Sequence, residues 1–257
     1  MSTTATRPED EAGPEPAMAG SVGRYLGSRL LDDGQVLARL MLAGSLLGVL
    51  TTGVLARLAM RLLAVVNGDV RGVRSDDGFF IGEPSMSGSL ELVVTGVLLG
   101  ALSGLLYAAL SPLQTGPDWF RTLSISVGAG VVVGAMLVHT DGVDFTFLDP
   151  AWLAVGMFVL IPVVHVALLD VVGRRIKSGE LMRHRLWAVA GAAPLLLLSP
   201  FVAAVAAVRV VLLLVLRDTG GAAPLPAPGW ATAARLVLTV IFVAGLVDLV
   251  RDVVRIS

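Results

Sequence analysis

Apolar residues form six long runs along this chain, separated by shorter polar segments. A helix needs about 20 mostly apolar residues to cross about 30 Å of hydrocarbon, because each residue advances it by about 1.5 Å. The runs have this length, and they predict an all-α, polytopic bundle of six transmembrane helices. The predicted spans lie near residues 40–56, 92–110, 122–138, 151–169, 186–208 and 229–247.

The fifth run leaves a second topology open. Its apolar character continues to residue 216 and is interrupted by Pro194, Pro200 and Arg209. One upright helix would be too long for the bilayer, and each half is too short to span it alone. A kink at Pro200 with an overhang beyond Arg209 is favoured, because proline removes a backbone donor without ending a helix in lipid. The alternative is a seventh crossing, which would put the two termini on opposite sides.

The first 35 residues differ from the rest. They are polar, acidic and proline-bearing, so they predict a disordered tail ahead of a bundle over residues 36–257. Tyr25, Leu30 and Leu31 with Arg24 and Arg29 also fit a short helix on the membrane surface, or a helical start to the first span. A signal peptide is not expected, because no short apolar segment with a cleavage site follows a basic start.

Composition narrows the function classes. Hydrophobic residues make up 55% of the chain and charged residues 15%, with a mean hydropathy of +0.83. The chain has no cysteine, which excludes disulfides, thiolate metal sites and cysteine nucleophiles. A net charge of -1 gives no basic face for nucleic acid. No phosphate-binding loop, nucleophile elbow or zinc-protease motif occurs, so we expect no enzyme activity and no cofactor.

Basic residues predict the orientation. The loop between the fourth and fifth spans contains Arg174, Arg175, Lys177, Arg183 and Arg185. Short loops rich in Lys and Arg stay in the cytoplasm, and with six spans both termini would lie there too. A single lysine against 18 arginines indicates a high-GC bacterial source. The predicted location is therefore a bacterial plasma membrane, with the lipid bilayer as the main partner.

Small residues predict where helices pack. Gly96, Gly100 and Gly104 are spaced by four in the second span, and Gly44 and Gly48 have the same spacing in the first. Such stripes let a partner backbone approach closely, and this packing holds helices together in lipid. We expect spans one to three, including Gly130 and Gly134 of the third, to form a tight bundle. A homo-oligomer contact is the alternative use of these faces.

Four arginines are expected at one level of the outer leaflet: Arg57, Arg61, Arg209 and Arg235. Charge at membrane depth is costly and usually faces a bundle interior or a watery cavity. One hypothesis is an outward-facing pocket for an anion, because guanidinium binds carboxylates and phosphates bidentately. The favoured one pairs these arginines with acids in the outer loops or with lipid phosphate. Arg235 is the deepest, and so the best functional candidate.

Two outer loops combine acids, glycine and aromatics. The first has Asp76 and Asp77 before Phe79, and the second has Asp141 and Asp144. An apolar segment between polar flanks is expected to fold back, so the two loops predict a cap over the outer face whose acids meet Arg57 and Arg61. The acids of the second loop, with a nearby histidine, match no calcium or zinc signature, and we expect no metal.

His165 and Asp170 are the polar residues near the cytoplasmic half of the fourth span, after Pro162. An intramembrane histidine and a carboxylate suggest a proton relay. Five residues of separation align them poorly on a helix. A hydrogen bond from His165 to a neighbouring helix, or to a carbonyl freed by Pro162, is therefore favoured.

Three segments carry a resemblance to a known group. Residues 57–63 (RLAMRLL), 75–82 (SDDGFFIG) and 141–150 (DGVDFTFLDP) resemble an uncharacterised family of multi-pass membrane proteins of high-GC, actinobacterial-type bacteria. The resemblance covers about the first four spans. It implies the six-helix arrangement and no activity, cofactor or catalytic residue.

Two functional hypotheses follow from the sequence. The favoured one is a non-enzymatic membrane module whose capped outer face contacts a partner. The alternative is a transporter or channel for a small solute or anion that uses the arginines. Whether Arg235 or His165 faces a cavity distinguishes the two.

Overall fold

The computed structural model describes residues 15–67, 86–138, 150–182, 184, 186–191 and 228–256. These residues are helical or lie in turns and short connections, with no strand among them, so the all-α prediction is confirmed. The helices are α1 (Glu15–Gly48), α2 (Ala56–Val66), α3 (Met86–Leu110), α4 (Asp118–Leu137), α5 (Ala151–Lys177) and α6 (Pro228–Ile256). A π-helical segment, Val49–Leu55, joins α1 to α2, and a 3-10 turn, Ser111–Leu113, follows α3.

Five stretches of these helices are long and apolar enough to cross a membrane, as expected of a multi-pass membrane protein. They are Leu31–Val66, Met86–Leu113, Asp118–Leu137, Ala151–Lys177 and Ala231–Arg255. Each coincides with a predicted span and extends beyond one or both of its predicted ends. Of the fifth predicted span, 186–208, only residues 186–191 are described; they are helical, and Gly191 packs against the backbone of Ala38.

The N-terminal prediction needs a correction. Helix α1 begins at Glu15, so residues 15–35 are helical rather than disordered. The helix continues into the first span, as in the helical start that the sequence left open. The chain divides into units at residues 1–35 and 36–257, and residues 1–14 lie outside the described part.

The predicted glycine stripes meet each other inside the chain. A Cβ added at Gly44 or Gly48 would overlap the carbonyl oxygen of Gly100 or Gly96, and one at Gly104 would overlap that of Leu40. Because no side chain separates the two backbones, α1 and α3 pack antiparallel at the closest approach that helices allow. The packing prediction is confirmed for spans one and two. These glycines are thereby covered, and a homo-oligomer would need another face.

The third span packs elsewhere. A Cβ on Gly130 or Gly134 of α4 would meet Val159 of α5, and Gly130 also faces Val163. Antiparallel α4 and α5 therefore form their own pair, against the expectation that Gly130 and Gly134 join spans one and two. The spacing of small residues shows which face is smooth, but it does not identify the helix that covers it.

Two groups of buried side chains mark the two ends of the bundle. One end is called the basic end, because α5 finishes there with Arg174, Arg175 and Lys177. The buried residues at the basic end are Leu40, Ala43, Tyr107, Ala108, Leu169 and Ile176. At the opposite end they are Leu63, Val138, Ala154, Val155 and Leu249. Exposed Trp119 and Trp152, near the starts of α4 and α5, lie at different ends, as expected for side chains at the two membrane interfaces.

Helix α6 runs parallel to α4. Near its start, Arg235 Nε lies 3.0 Å from the carbonyl oxygen of Leu113, at the basic end. Farther along, Gly245 faces Val131, and Leu249 belongs to the core of the opposite end. Helix α6 therefore begins at the end where α5 finishes.

This direction changes the predicted topology. Six spans require one crossing between α5 and α6, which would start α6 at the opposite end from Lys177. That does not agree with the contacts of Arg235 and Leu249. The seven-span alternative, in which the termini lie on opposite sides, agrees with them. The sequence reasoning favoured one crossing because residues 186–216 looked like a single kinked helix.

Candidate functional site

One polar cluster in the interior of the bundle surrounds His165. The side chain is 8% exposed, and its two ring nitrogens contact hydroxyls on two other helices. Nδ1 lies 2.9 Å from Thr51 Oγ1 in the π-helical segment, and Nε2 lies 2.7 Å from Ser103 Oγ of α3. Of the two expectations for His165, the hydrogen bond to neighbouring helices is the one the structure shows. We call these three residues the His165 site.

Local sequence explains why a hydroxyl reaches the ring from the first span. Thr51, Thr52 and Gly53 are poor helix formers in an otherwise apolar helix. The Thr51 hydroxyl donates to the carbonyl oxygen of Leu47 at 2.9 Å, a back-bond that bends helices. The chain is π-helical from Val49 to Leu55, and such segments are frequent at functional sites. The π-turn aims Thr51 at α5.

The second hydroxyl is held in the same way. Ser103 Oγ donates to the carbonyl oxygen of Gly100 at 2.7 Å while it contacts the ring. Gly100 is itself in the close contact with Gly44, so the serine is carried on the tightest helix pair of the bundle. The glycine stripes therefore fix the distance between Thr51 and Ser103 across the ring.

The proton count of this site depends on the state of the ring. Each hydroxyl has one proton, and in the observed geometry both protons can go to backbone carbonyls. Both ring nitrogens of His165 must then donate, which describes a protonated imidazolium. A neutral imidazole has only one N–H, so one hydroxyl must turn its proton to the ring and release its carbonyl. The site thus has two hydrogen-bonding arrangements that differ by one proton.

Asp170 lies one and a half turns closer to the basic end and makes a separate group. It is fully buried, and its Oδ2 accepts from Thr122 Oγ1 of α4 at 2.6 Å and pairs with Arg174 Nη1. Arg174 also donates to Thr122 at 3.0 Å, and the Tyr107 hydroxyl reaches the Asp170 carbonyl at 3.5 Å. The two side chains point to different partners, because His165 bonds to the π-helical segment and α3 whereas the Asp170 carboxylate bonds to Thr122 of α4 and to Arg174.

The four arginines are not at one level. Arg57 Nη2 donates to Ser89 Oγ at 3.1 Å, at the opposite end from the basic loop, and Arg61 is exposed on the next turn. Arg235 lies at the basic end, on the carbonyl of Leu113. The prediction of one arginine level is therefore wrong for Arg235, because α6 runs in the other direction. Arg209 lies outside the described residues.

The predicted cap depends on four acidic residues of two loops. Asp76, Asp77, Asp141 and Asp144 all lie outside the described residues, so the pairing of the outer acids with Arg57 and Arg61 stays a prediction. Within the described part, no group of three or more His, Asp or Glu side chains is arranged to hold a metal ion.

Sequence reasoning singled out His165 and Asp170 but missed their partners. Thr51, Ser103 and Thr122 are neutral hydroxyl residues inside apolar runs, and such residues are common in membrane helices. The one available signal was the Thr51-Thr52-Gly53 run, which interrupts good helix formers. Comparison with protein-family models, with curated proteins and with solved structures found no match for this chain.

Proposed function

We propose that this chain is a non-enzymatic, proton-coupled protein of the bacterial plasma membrane, in which His165 binds the proton and the π-helical segment, α3 and α5 respond to it. The observation that carries the proposal is the contact of both ring nitrogens with hydroxyls of two other helices, at 2.9 and 2.7 Å. Ionisable groups inside membrane helices are rare and mark proton or substrate paths by default.

Depth supports this role. His165 is near the middle of α5, which runs from Ala151 to Lys177. At a rise of about 1.5 Å per residue, the ring lies roughly 20 Å along the helix from each end. A polar group at that depth is costly, so a purely structural role is better served by an apolar side chain.

The ionisable group of the His165 site is the imidazole ring. No carboxylate of the described residues hydrogen-bonds His165. On the elements packed around it, charged and titratable groups lie on both sides. Toward the basic end they are Asp170 and Arg174 on α5, Tyr107 on α3, Arg39 on α1 and Arg121 on α4, and toward the opposite end they are Arg57 and Arg61 on α2 and Glu91 on α3. Protonation of His165 therefore adds a charge that no carboxylate of the described residues offsets through a hydrogen bond.

Protonation is expected to change helix packing through the hydroxyls. In the neutral state either Thr51 or Ser103 releases its carbonyl, Leu47 or Gly100, and the cation restores both bonds. The Leu47 carbonyl lies just before the π-helical segment, in which backbone hydrogen bonds join residues five apart instead of the four of an α-helix. The proton is thereby coupled to the geometry of the first span, the kind of two-state element that transport proteins use.

The experiment uses the absence of native cysteine. Thr52→Cys, labelled with a nitroxide and reconstituted in lipid vesicles, reports the mobility of the π-helical segment. We expect its electron paramagnetic resonance spectrum to change between pH 5 and pH 8, and 15N NMR to show His165 titrating over the same range. In His165→Gln, an amide that still donates and accepts but does not titrate, the spectral change should disappear.

His184→Gln is the matched control, because His184 is exposed in the loop at the basic end. This variant should keep the full pH response. The proposal is wrong if the spectrum of the labelled protein is the same at both pH values, or if His165→Gln keeps the difference.

A second candidate is the membrane module with a capped outer face that the sequence favoured. Its support is the close packing of α1 on α3, which makes a rigid scaffold without a titrating site. The two candidates differ in the response of His165 to pH. An anion transporter based on four arginines loses its support, because Arg57 and Arg235 lie at different ends. For both candidates we propose that the basic end faces the cytoplasm.

A further inference from the structure

The 3-10 turn Ser111–Leu113, at the basic end, is approached by cationic side chains from two helices. Arg235 of α6 donates from Nε to the carbonyl oxygen of Leu113 at 3.0 Å. Lys177 of α5 donates to Ser111 Oγ, and its Nζ lies 4.7 Å from the centre of the Tyr107 ring. Side chains from α5 and α6 therefore fix two positive charges on one turn.

Arg235 carries a charge that the described residues do not neutralise. Among the described residues, Arg174 pairs with Asp170 and Arg121 with Asp118, whereas Arg235 has no carboxylate partner there. The Arg235 side chain is exposed, and Nε is occupied by Leu113. The two Nη groups of a fixed guanidinium are therefore presented outward, in the planar geometry that binds phosphate oxygens.

The depth of this surface matches the lipid headgroups. Trp119 and Phe120, in the first turn of α4, are 69% and 47% exposed, and Trp187 is exposed as well. Aromatic side chains of this kind concentrate at membrane–water interfaces. Arg235 is on the least buried of the five candidate spans. Basic sites between membrane helices at this depth bind anionic headgroups.

From these contacts we infer that the turn Ser111–Leu113, with Arg235 and Lys177, forms a binding site for the phosphodiester of an anionic phospholipid in the leaflet at the basic end. Arg235 binds the phosphate through its Nη groups, and Leu113 holds the guanidinium in place. The inference does not depend on the titration of His165. It requires only that α6 begins at the basic end.

The test measures lipid selectivity close to Trp119. The variant keeps Trp119 and has Phe in place of the three other tryptophans. In mixed vesicles, the quenching of Trp119 fluorescence by brominated phosphatidylglycerol is compared with its quenching by brominated phosphatidylcholine. We expect preferential quenching by phosphatidylglycerol. Arg235→Gln should lower the binding constant of phosphatidylglycerol relative to phosphatidylcholine by about tenfold, which corresponds to the loss of one charge-assisted hydrogen bond.

Arg255→Gln is the control, because Arg255 is an exposed arginine in the last turn of the same helix at the opposite end. It should leave the selectivity unchanged. Equal effects of the two substitutions, or no preference for phosphatidylglycerol, would overturn the inference. If inorganic phosphate displaces the brominated lipid, the site binds free phosphate, and the lipid assignment is wrong.

Discussion

The Oγ atom of Ser103 lies 2.7 Å from Nε2 of His165, 62 residues away in the sequence and on a different transmembrane helix. On the other side of the ring, Thr51 lies 2.9 Å from Nδ1. Three helical segments are therefore joined through one side chain near the middle of α5. The arrangement makes the tautomer of a neutral ring depend on which hydroxyl keeps its carbonyl bond.

Removing one hydroxyl should select one tautomer of neutral His165. In Thr51→Val, Ser103 remains the only partner, and because its hydroxyl donates to Gly100, Nε2 should carry the proton. In Ser103→Ala, Thr51 donates to Leu47, so Nδ1 should carry it. The 15N shifts of labelled histidine at pH 8 distinguish the two forms. The same tautomer in both variants would contradict the hydrogen-bond assignment.

The contact between α1 and α3 should tolerate no added carbon. Gly100→Ala places a Cβ onto the carbonyl oxygen of Gly44, so the two backbones must separate. We expect the free energy of unfolding to fall by about 1–3 kcal/mol, the usual cost of overpacking. The fall is larger if the backbone has to move. Unfolding in mixed micelles measures it.

Gly128→Ala and Gly156→Ala are the controls for that substitution. A Cβ at either position meets nothing within 4 Å. Both variants should be neutral or slightly stabilised, because alanine favours helix. A similar loss of unfolding free energy in Gly100→Ala and Gly128→Ala would contradict the assignment of the effect to the contact between α1 and α3.

The buried pair of Asp170 and Arg174 should be far more sensitive than the surface pair of Asp118 and Arg121. Asp170→Asn leaves the guanidinium without its carboxylate in a buried setting, which costs about 3–5 kcal/mol. Asp118 is 74% exposed and 3.7 Å from Arg121, so Asp118→Asn should cost less than about 1 kcal/mol. Double-mutant cycles on both pairs measure the coupling. Equal coupling energies would contradict this placement of Asp170.

The direction of α6 predicts that the C-terminus and the loop after α5 lie on opposite sides of the membrane. A reporter after Ser257 should be active outside the cytoplasm, whereas one inserted next to Gly179, in the exposed turn after Lys177, should be active inside. Activity of both reporters on one side would contradict the contacts of Arg235 and Leu249 and restore the six-span topology.

Properties that depend on residues close together in sequence could be predicted. The length and apolarity of each run gave the spans, because the bilayer sets how many residues a helix needs. The four-residue spacing of Gly96, Gly100 and Gly104 gave the smooth face of α3, because a helix turns once in about 3.6 residues. His165 and Asp170 stood out because polar side chains are rare in such runs.

Only the tertiary structure decided which faces and ends meet. It pairs Gly130 with α5, places Arg235 on Leu113 rather than beside Arg57, and brings Thr51 and Ser103 to the two nitrogens of His165. An apolar helix can pack in either direction and against several neighbours at similar cost, because lipid itself does not favour one choice. The partner of each side chain is fixed by close packing and by hydrogen bonds between helices that are distant in sequence.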